Sequence, residues 1–343
     1  VSLAEIIKRS IRISRPIFWL APFASYSTGL LLAGVQRGGF EIWELFLATF
    51  PLSFSIYFLN DYYDMEYDAK SMRKGGFWGH RLEKKDIGWG WNLVFIFLFL
   101  AIATALFAFT FNILHAILII VGILLPYLYS APPIRLKNVP VIDSLTSAGY
   151  IFFPFAAAAS LGGSWIFLDW RILLAMLIPS AAHAIATIMD HDDDKKVGQK
   201  TFSTVIGMRA PAMFSAGIFL INAYSISGIS PVLMFVSLIA GILSIFLAIW
   251  PSPKNAKLFF KLLLLLAMAI AYFFLVKYLL FPQYFADYSE KEIEMLLTEC
   301  DKNPDGAFSS LCMTVDQIES DCHQGIEYLG GSCDFLQKRT NGS

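Results

Sequence analysis

The stretch SFSIYFLNDYYDMEYD, residues 53–68, decides how this chain is read. An apolar run ends abruptly in four carboxylates, Asp61, Asp64, Glu66 and Asp68. A second apolar run ends the same way, in MDHDDDKKVGQKT at 189–201. A carboxylate at the edge of hydrocarbon costs roughly 2.5–3.5 kcal/mol on insertion scales, so each cluster needs cations to offset it.

The surrounding sequence puts both runs in a membrane. Of 343 residues, 57% are hydrophobic and only 15% charged, with a mean hydropathy of +0.60. A soluble chain carries about 25% charged residues. The net charge of -1 gives no footprint for nucleic acid. A window the length of a bilayer core picks out nine apolar spans, near 17–35, 42–60, 92–110, 113–130, 145–163, 171–189, 211–228, 231–250 and 258–281. The expected fold class is an all-α membrane protein of nine transmembrane helices. The leading VSLAEIIKRSIRISRP reads as a basic amphipathic segment rather than a cleavable signal peptide.

Basic residues orient the bundle. Lys8, Arg9, Arg12 and Arg15 precede the first span, and Lys70, Arg73, Lys74, Arg81, Lys84 and Lys85 follow the second. Arg135, Lys137, Lys195, Lys196, Lys200, Arg209, Lys254, Lys257 and Lys261 fall on that same side. The opposite connections hold Arg37 and Arg171. The positive-inside rule then places the N-terminus and both acidic motifs in the cytoplasm and the C-terminus outside.

Within the motifs the spacing is helical. Asn60, Asp64 and Asp68 are four apart and share a face, with Asp61 on the adjacent row. Asp190 and Asp194 repeat that interval, followed by Gly198 and Thr201, which gives DxxxDxxxGxxT. The plain reading is two acidic helix ends in solvent. Two facing pairs of carboxylates are also a cage for Mg²⁺, which takes hard oxygen ligands and completes its shell with water and phosphate. Such ions would bridge a diphosphate and stabilise it as a leaving group. A third stretch, YSAPPIRLK at 129–137, ends the fourth span in a Pro-Pro turn that aims Arg135 and Lys137 at the same face. Alone it is an ordinary basic flank; beside the two Asp motifs it reads as a phosphate clamp.

Together NDYYDMEYD, YSAPPIRLK and MDHDDDKKVGQKT resemble the UbiA superfamily of intramembrane prenyltransferases over residues 1–281. The resemblance implies nine helices around a central, lipid-open cavity. It implies two Mg²⁺ ions, held by Asn60, Asp64 and Asp68 on one side and by Asp190 and Asp194 on the other, with Asp61 at the motif's second position. Tyr129 and Lys137 correspond to a Tyr–Lys pair of that family, here eight residues apart, and Arg15 to a basic residue near the diphosphate. Asp64, Asp68, Asp190 and Asp194 would then serve catalysis, and Arg15, Tyr129, Arg135 and Lys137 would bind substrate. The implied partners are a prenyl diphosphate, a lipophilic acceptor and the bilayer.

The acceptor is read from AKSMRKGGFWGHRLEKKD at 69–86. It lacks the R-P-x-P-x-G segment of members that prenylate aromatic acids or glycerol lipids, and it is similar to the lycopene elongases of the carotenoid branch. An aromatic or quinone precursor and a glycerol lipid stay open as acceptors. From other classes, an ion-coupled transporter and a non-catalytic lipid-binding scaffold stay open too. A transporter calls for charges at unwound midplane helices, and a scaffold for eroded motifs. His183, seven residues before Asp190, is read as packing or cavity-lining, and His115 as packing.

Residues 282–343 are polar and hold all four cysteines, Cys300, Cys312, Cys322 and Cys333. On the outer side of a membrane such cysteines pair, and their spacing fits no zinc pattern. The expectation is two units: the prenyltransferase domain at 1–281 and an extracytoplasmic, Cys-containing tail at 282–343.

Overall fold

The computed structural model describes residues 2–33, 35, 38–65, 82–227, 231–274 and 298. The described residues are helical, with no strand among them. They form α1 (Leu3–Ile13), α2 (Leu20–Leu32), α3 (Gly39–Tyr63), α4 (Lys84–Phe109), α5 (Ile113–Ser130), α6 (Ile142–Leu161), α7 (Trp170–Ala175) and α8 (Ile178–Met189). Then follow α9 (His191–Val197), α10 (Phe202–Ile206), α11 (Arg209–Ser225), α12 (Pro231–Ile249) and α13 (Pro253–Phe274).

Six segments among the described residues are long and apolar enough to cross a bilayer: α3, α4, α5, α6, α7 with α8 as one span (Trp170–Met189), and Val232–Ile249 of α12. Helices also stand at the other three expected spans, where α2 has 13 residues, α11 has 17 and α13 has 22. The cysteines and Asp68 lie outside the described residues.

The packing is that of a protein dissolved in lipid. Large apolar side chains such as Phe99, Leu106, Val232 and Leu265 sit on the outer surface, each more than 60% exposed. Small residues fill the interior, as Ala156–Ala159 do on α6. With no water to drive apolar faces together, close backbone approach supplies the attraction. Gly29 shows the constraint: a Cβ there would run into the Phe155 carbonyl where α2 crosses α6. Neighbouring helices pack in sequence from α2 through α6, α8 packs on α6 and α11, and α13 closes the bundle against α8 and α2.

One stripe aims the first acidic motif. Phe50, Phe54, Phe58 and Tyr62 recur every fourth residue on α3, with consecutive ring centroids 5.5–6.2 Å apart. They pack on Trp89, Trp91 and Phe97 of α4. Asn60 and Asp64 follow Phe58 and Tyr62 by two residues, about 200° round the helix. Packing one face on α4 therefore turns the Asn60 amide and the Asp64 carboxylate to the other side. Amphipathic α1 crosses the same end, anchored by Ile13 in the core and by Arg9, which donates to both Asp86 oxygens at 3.0 and 3.1 Å. Beside it the hydrogen bond from Lys85 holds Glu83 below the usual carboxylate range, with the Arg9 charge assisting against desolvation.

Candidate functional site

Six of the expected site residues converge at the end of α3: Asn60, Asp61, Asp64, Arg15, Arg135 and Lys137. Asp64 caps the helix, its N–H bonded to the Asn60 carbonyl. Its Oδ2 lies 2.7 Å from Lys137 Nζ, and its Oδ1 accepts from Arg135 Nη2 at 2.8 Å. Lys137 is 3% exposed and also donates to Asn60 Oδ1 at 3.1 Å. Asp61, buried at 1%, accepts from Arg15 Nη2 at 3.0 Å, and the Arg15 guanidinium lies 4.3 Å over the Tyr57 ring.

The backbone is bent to make these pairs. Three non-glycine residues among those described have positive φ: Arg15 at 51°, Arg135 at 44° and Val141 at 71°. Left-handed backbone costs a side-chain-bearing residue of order 1–2 kcal/mol, and such strain clusters at functional sites. Arg15 starts the short helical turn Pro16–Trp19 between α1 and α2, and Arg135 ends the Pro-Pro turn, closed by its own N–H on the Ala131 carbonyl at 3.0 Å. The two ion pairs offset that cost.

The second motif is built differently. Asp190 caps α8 and leads into α9, and Asp194 sits in the first turn of α9. Gly198, at φ 73°, takes the left-handed position that ends α9. Thr201 starts α10, exchanging hydrogen bonds with Thr204 in a capping box. The Gly and Thr of DxxxDxxxGxxT are thus turn-makers that present the two carboxylates.

Tyr129 stands at the end of α5. Its hydroxyl lies 3.2 Å from His183 Nε2 on α8. His183 Nδ1 meets Ser144 Oγ at 3.2 Å, and Ser144 Oγ donates to Asp143 Oδ1 at 3.1 Å. Tyr57, Asp143, Ser144, His183 and Tyr150 all belong to this region, yet sequence reasoning singled out His183 alone. Tyr57 could have been found, because it precedes Asp61 by four residues on one face. Asp143 offered no signal beyond being a carboxylate at a span's start.

Among the described residues no three His, Cys, Asp or Glu side chains gather tightly enough to form a metal centre by themselves. Asp68, the expected third ligand of the first motif, falls outside those residues. The donor set still suits a hard divalent cation. Asn60 Oδ1 and Asp64 Oδ2 converge on one point, occupied by the Lys137 ammonium, and all the donors are oxygens.

Residues 21–251 match the UbiA prenyltransferase family. A lycopene elongase/hydratase of Halobacterium salinarum is 30% identical over 241 residues, covering 62% of this chain and 76% of that protein. A C(50) beta-cyclic carotenoids biosynthesis protein of Dietzia is 27% identical over 207 residues, covering 59% of this chain. There the match spans about half of the relative's length, 47%. In structure the chain is similar to a UbiA homolog from Archaeoglobus fulgidus bound to GPP and Mg²⁺. The TM-score is 0.58 at 21% identity, covering 78% of this chain and 99% of that one.

Proposed function

This chain belongs to the UbiA prenyltransferase family, and we propose that it moves a prenyl group from a prenyl diphosphate to the end of a carotenoid polyene such as lycopene. That it is an integral membrane prenyltransferase follows from the family and the apolar bundle. The observation that carries the diphosphate half of this reading is Asp64, whose carboxylate is shared by Lys137 and Arg135 beside Asn60. Carboxylates interleaved with cations at a membrane edge suit a ligand that brings both charges, a metal-bound diphosphate.

In this reading two Mg²⁺ ions would be held by Asn60, Asp61, Asp64 and Asp68 from the first motif and by Asp190 and Asp194 from the second. Bound there, they would supply Lewis-acid neutralisation of the leaving diphosphate. Arg15, Arg135 and Lys137 would neutralise the remaining negative charge, Arg through paired N–H donors. Tyr129 and its aromatic neighbours line the reacting end, where ring faces favour a passing cation. The polyene acceptor is supported by the carotenoid relatives at 27–30% identity and by the segment after the first motif.

The proposed topology has nine spans within residues 1–281, with the N-terminus and site cytoplasmic. Residues 282–343 form a separate extracytoplasmic tail stapled through its cysteines. The deciding experiment incubates membranes containing the protein with Mg²⁺, labelled prenyl diphosphates and a panel of polyene, quinone-precursor and glycerol-lipid acceptors. Label is expected in the polyene. Transfer to a quinone precursor or glycerol lipid, with none to polyenes, would replace this acceptor assignment.

A further inference from the structure

A hydrogen-bond chain of fixed direction ends on the Tyr129 hydroxyl. It begins at Asp143, in the first turn of α6 and 1% exposed. Asp143 Oδ1 accepts from the Ser144 N–H at 2.6 Å and from Ser144 Oγ at 3.1 Å, and Oδ2 accepts from the Phe202 N–H at 2.8 Å. All three of these contacts use the Asp143 carboxyl as the acceptor. The donor inventory then places each proton. Ser144 has one O–H and gives it to Asp143, so its oxygen accepts from His183 Nδ1 at 3.2 Å. A neutral imidazole protonated at Nδ1 carries its lone pair at Nε2. Tyr129 O–H, 3.2 Å away, therefore donates to Nε2.

The consequence lies on the other side of Tyr129. With its proton directed at His183, the phenol oxygen keeps its lone pairs free of that bond, and the residue is half-buried rather than sealed in the core. Tyr150 stands edge-on to Tyr129, with centroids 6.2 Å apart, and its buried hydroxyl has no hydrogen-bond partner among the described residues. Tyr129, Tyr150 and His183 are all half-buried, so this aromatic cluster is open on one side and offers a basic oxygen there.

We propose that Tyr129 is the base that ends the transfer, with His183 receiving its proton and Ser144 and Asp143 positioning His183. This rests on the prenyl-transfer reading above and adds the step that completes it. The pair of an acceptor C=C forms the new bond to the allylic carbon while the C–O bond breaks, its electrons leaving with the diphosphate. The acceptor is left cationic. A neighbouring C–H then yields its proton to the Tyr129 oxygen, and the freed pair closes a new C=C. The tyrosine's own proton passes to His183 Nε2, and the imidazolium faces Asp143 through Ser144. Release of that proton to solvent restores the resting chain.

The same cation can instead be caught by water, so the two fates give an alkene or an alcohol. Purified protein in nanodiscs, with Mg²⁺, a labelled allylic diphosphate and a polyene, resolves them by mass. Tyr129→Phe and His183→Gln are each expected to lower alkene formation about 100-fold, the lower end of what general acid–base catalysis contributes. The alcohol share should rise in both, and in His183→Gln the KM for the diphosphate should stay within about twofold of wild type. Gln at 183 can accept the Tyr129 hydrogen bond but cannot take its proton. Wild-type alkene yield in His183→Gln, or an unchanged alkene-to-alcohol ratio in both variants, would overturn the proposal. A donor-only incubation keeps this test separate from the acceptor reading. There the allylic cation itself yields a diene or a prenyl alcohol, and the variants should shift that ratio to the alcohol whatever the natural acceptor.

Discussion

Lys137 Nζ stands 2.7 Å from Asp64 Oδ2 and 3.1 Å from Asn60 Oδ1, bridging two oxygens one helical turn apart on α3. The ammonium is 3% exposed and the Asp64 residue 6%, so each depends on the other for compensation. With Arg135 on the opposite carboxylate oxygen, one aspartate organises the turn after α5 and the end of α3 together.

Removing either cation should weaken the diphosphate first. Lys137→Ala and Arg135→Ala are each expected to raise the KM for the prenyl diphosphate about tenfold or more, or about 1.4 kcal/mol. The acceptor KM should change by less than threefold. Steady-state kinetics with each substrate varied in turn checks this, and a raised acceptor KM alone would assign the turn to the other substrate.

The carboxylates should matter for chemistry rather than folding. Asp64→Asn and Asp190→Asn are expected to lower transfer about 100- to 1,000-fold, as when a positioned electrostatic stabiliser is lost. Size-exclusion profiles should stay at wild type. EDTA should abolish activity, and Mg²⁺ should restore it. Full activity of either variant at saturating substrate would remove that motif from the site.

At the far end of α3 lies a second buried pair. Glu44 Oε1 meets His115 Nε2 at 2.7 Å, and Glu44 Oε2 accepts from the Tyr26 hydroxyl at 2.7 Å. His115 Nδ1 donates to the Ala157 carbonyl at 2.8 Å, so the contact at Nε2 needs a proton shared with Glu44. Glu44→Ala should destabilise by about 3–5 kcal/mol, because it strips a buried partner from His115. Glu44→Gln keeps an acceptor for Tyr26 and supplies an N–H to His115, so its loss should be much smaller. Thermal unfolding of both variants in detergent separates these; equal losses would count against the shared proton.

For the tail, Cys300, Cys312, Cys322 and Cys333 are expected to react with a membrane-impermeant maleimide on intact cells only after reduction. Labelling without reductant would argue against disulfides. Silence until the membrane is permeabilised would reverse the proposed orientation.

What the sequence determined by itself was the solvent and the chemistry. Apolar spans of bilayer length and scarce charge required a helical membrane protein, since only helices or closed barrels satisfy the backbone in hydrocarbon. The i, i+4 carboxylates on two helix ends marked the site, because a 3.6-residue period puts those positions on one face. The structure decided which cation meets which anion. Arg15 reaches Asp61, Arg135 reaches Asp64, and Lys137 bridges Asp64 and Asn60, partners 46 to 77 residues apart in sequence. Asp143 became part of the site by the same means, through contacts that bring α5, α6, α8 and the start of α10 together. Local periodicity carries no record of such contacts. They depend on how whole helices cross, and here that follows from small residues such as Gly29 and from the aromatic stripe that turns α3.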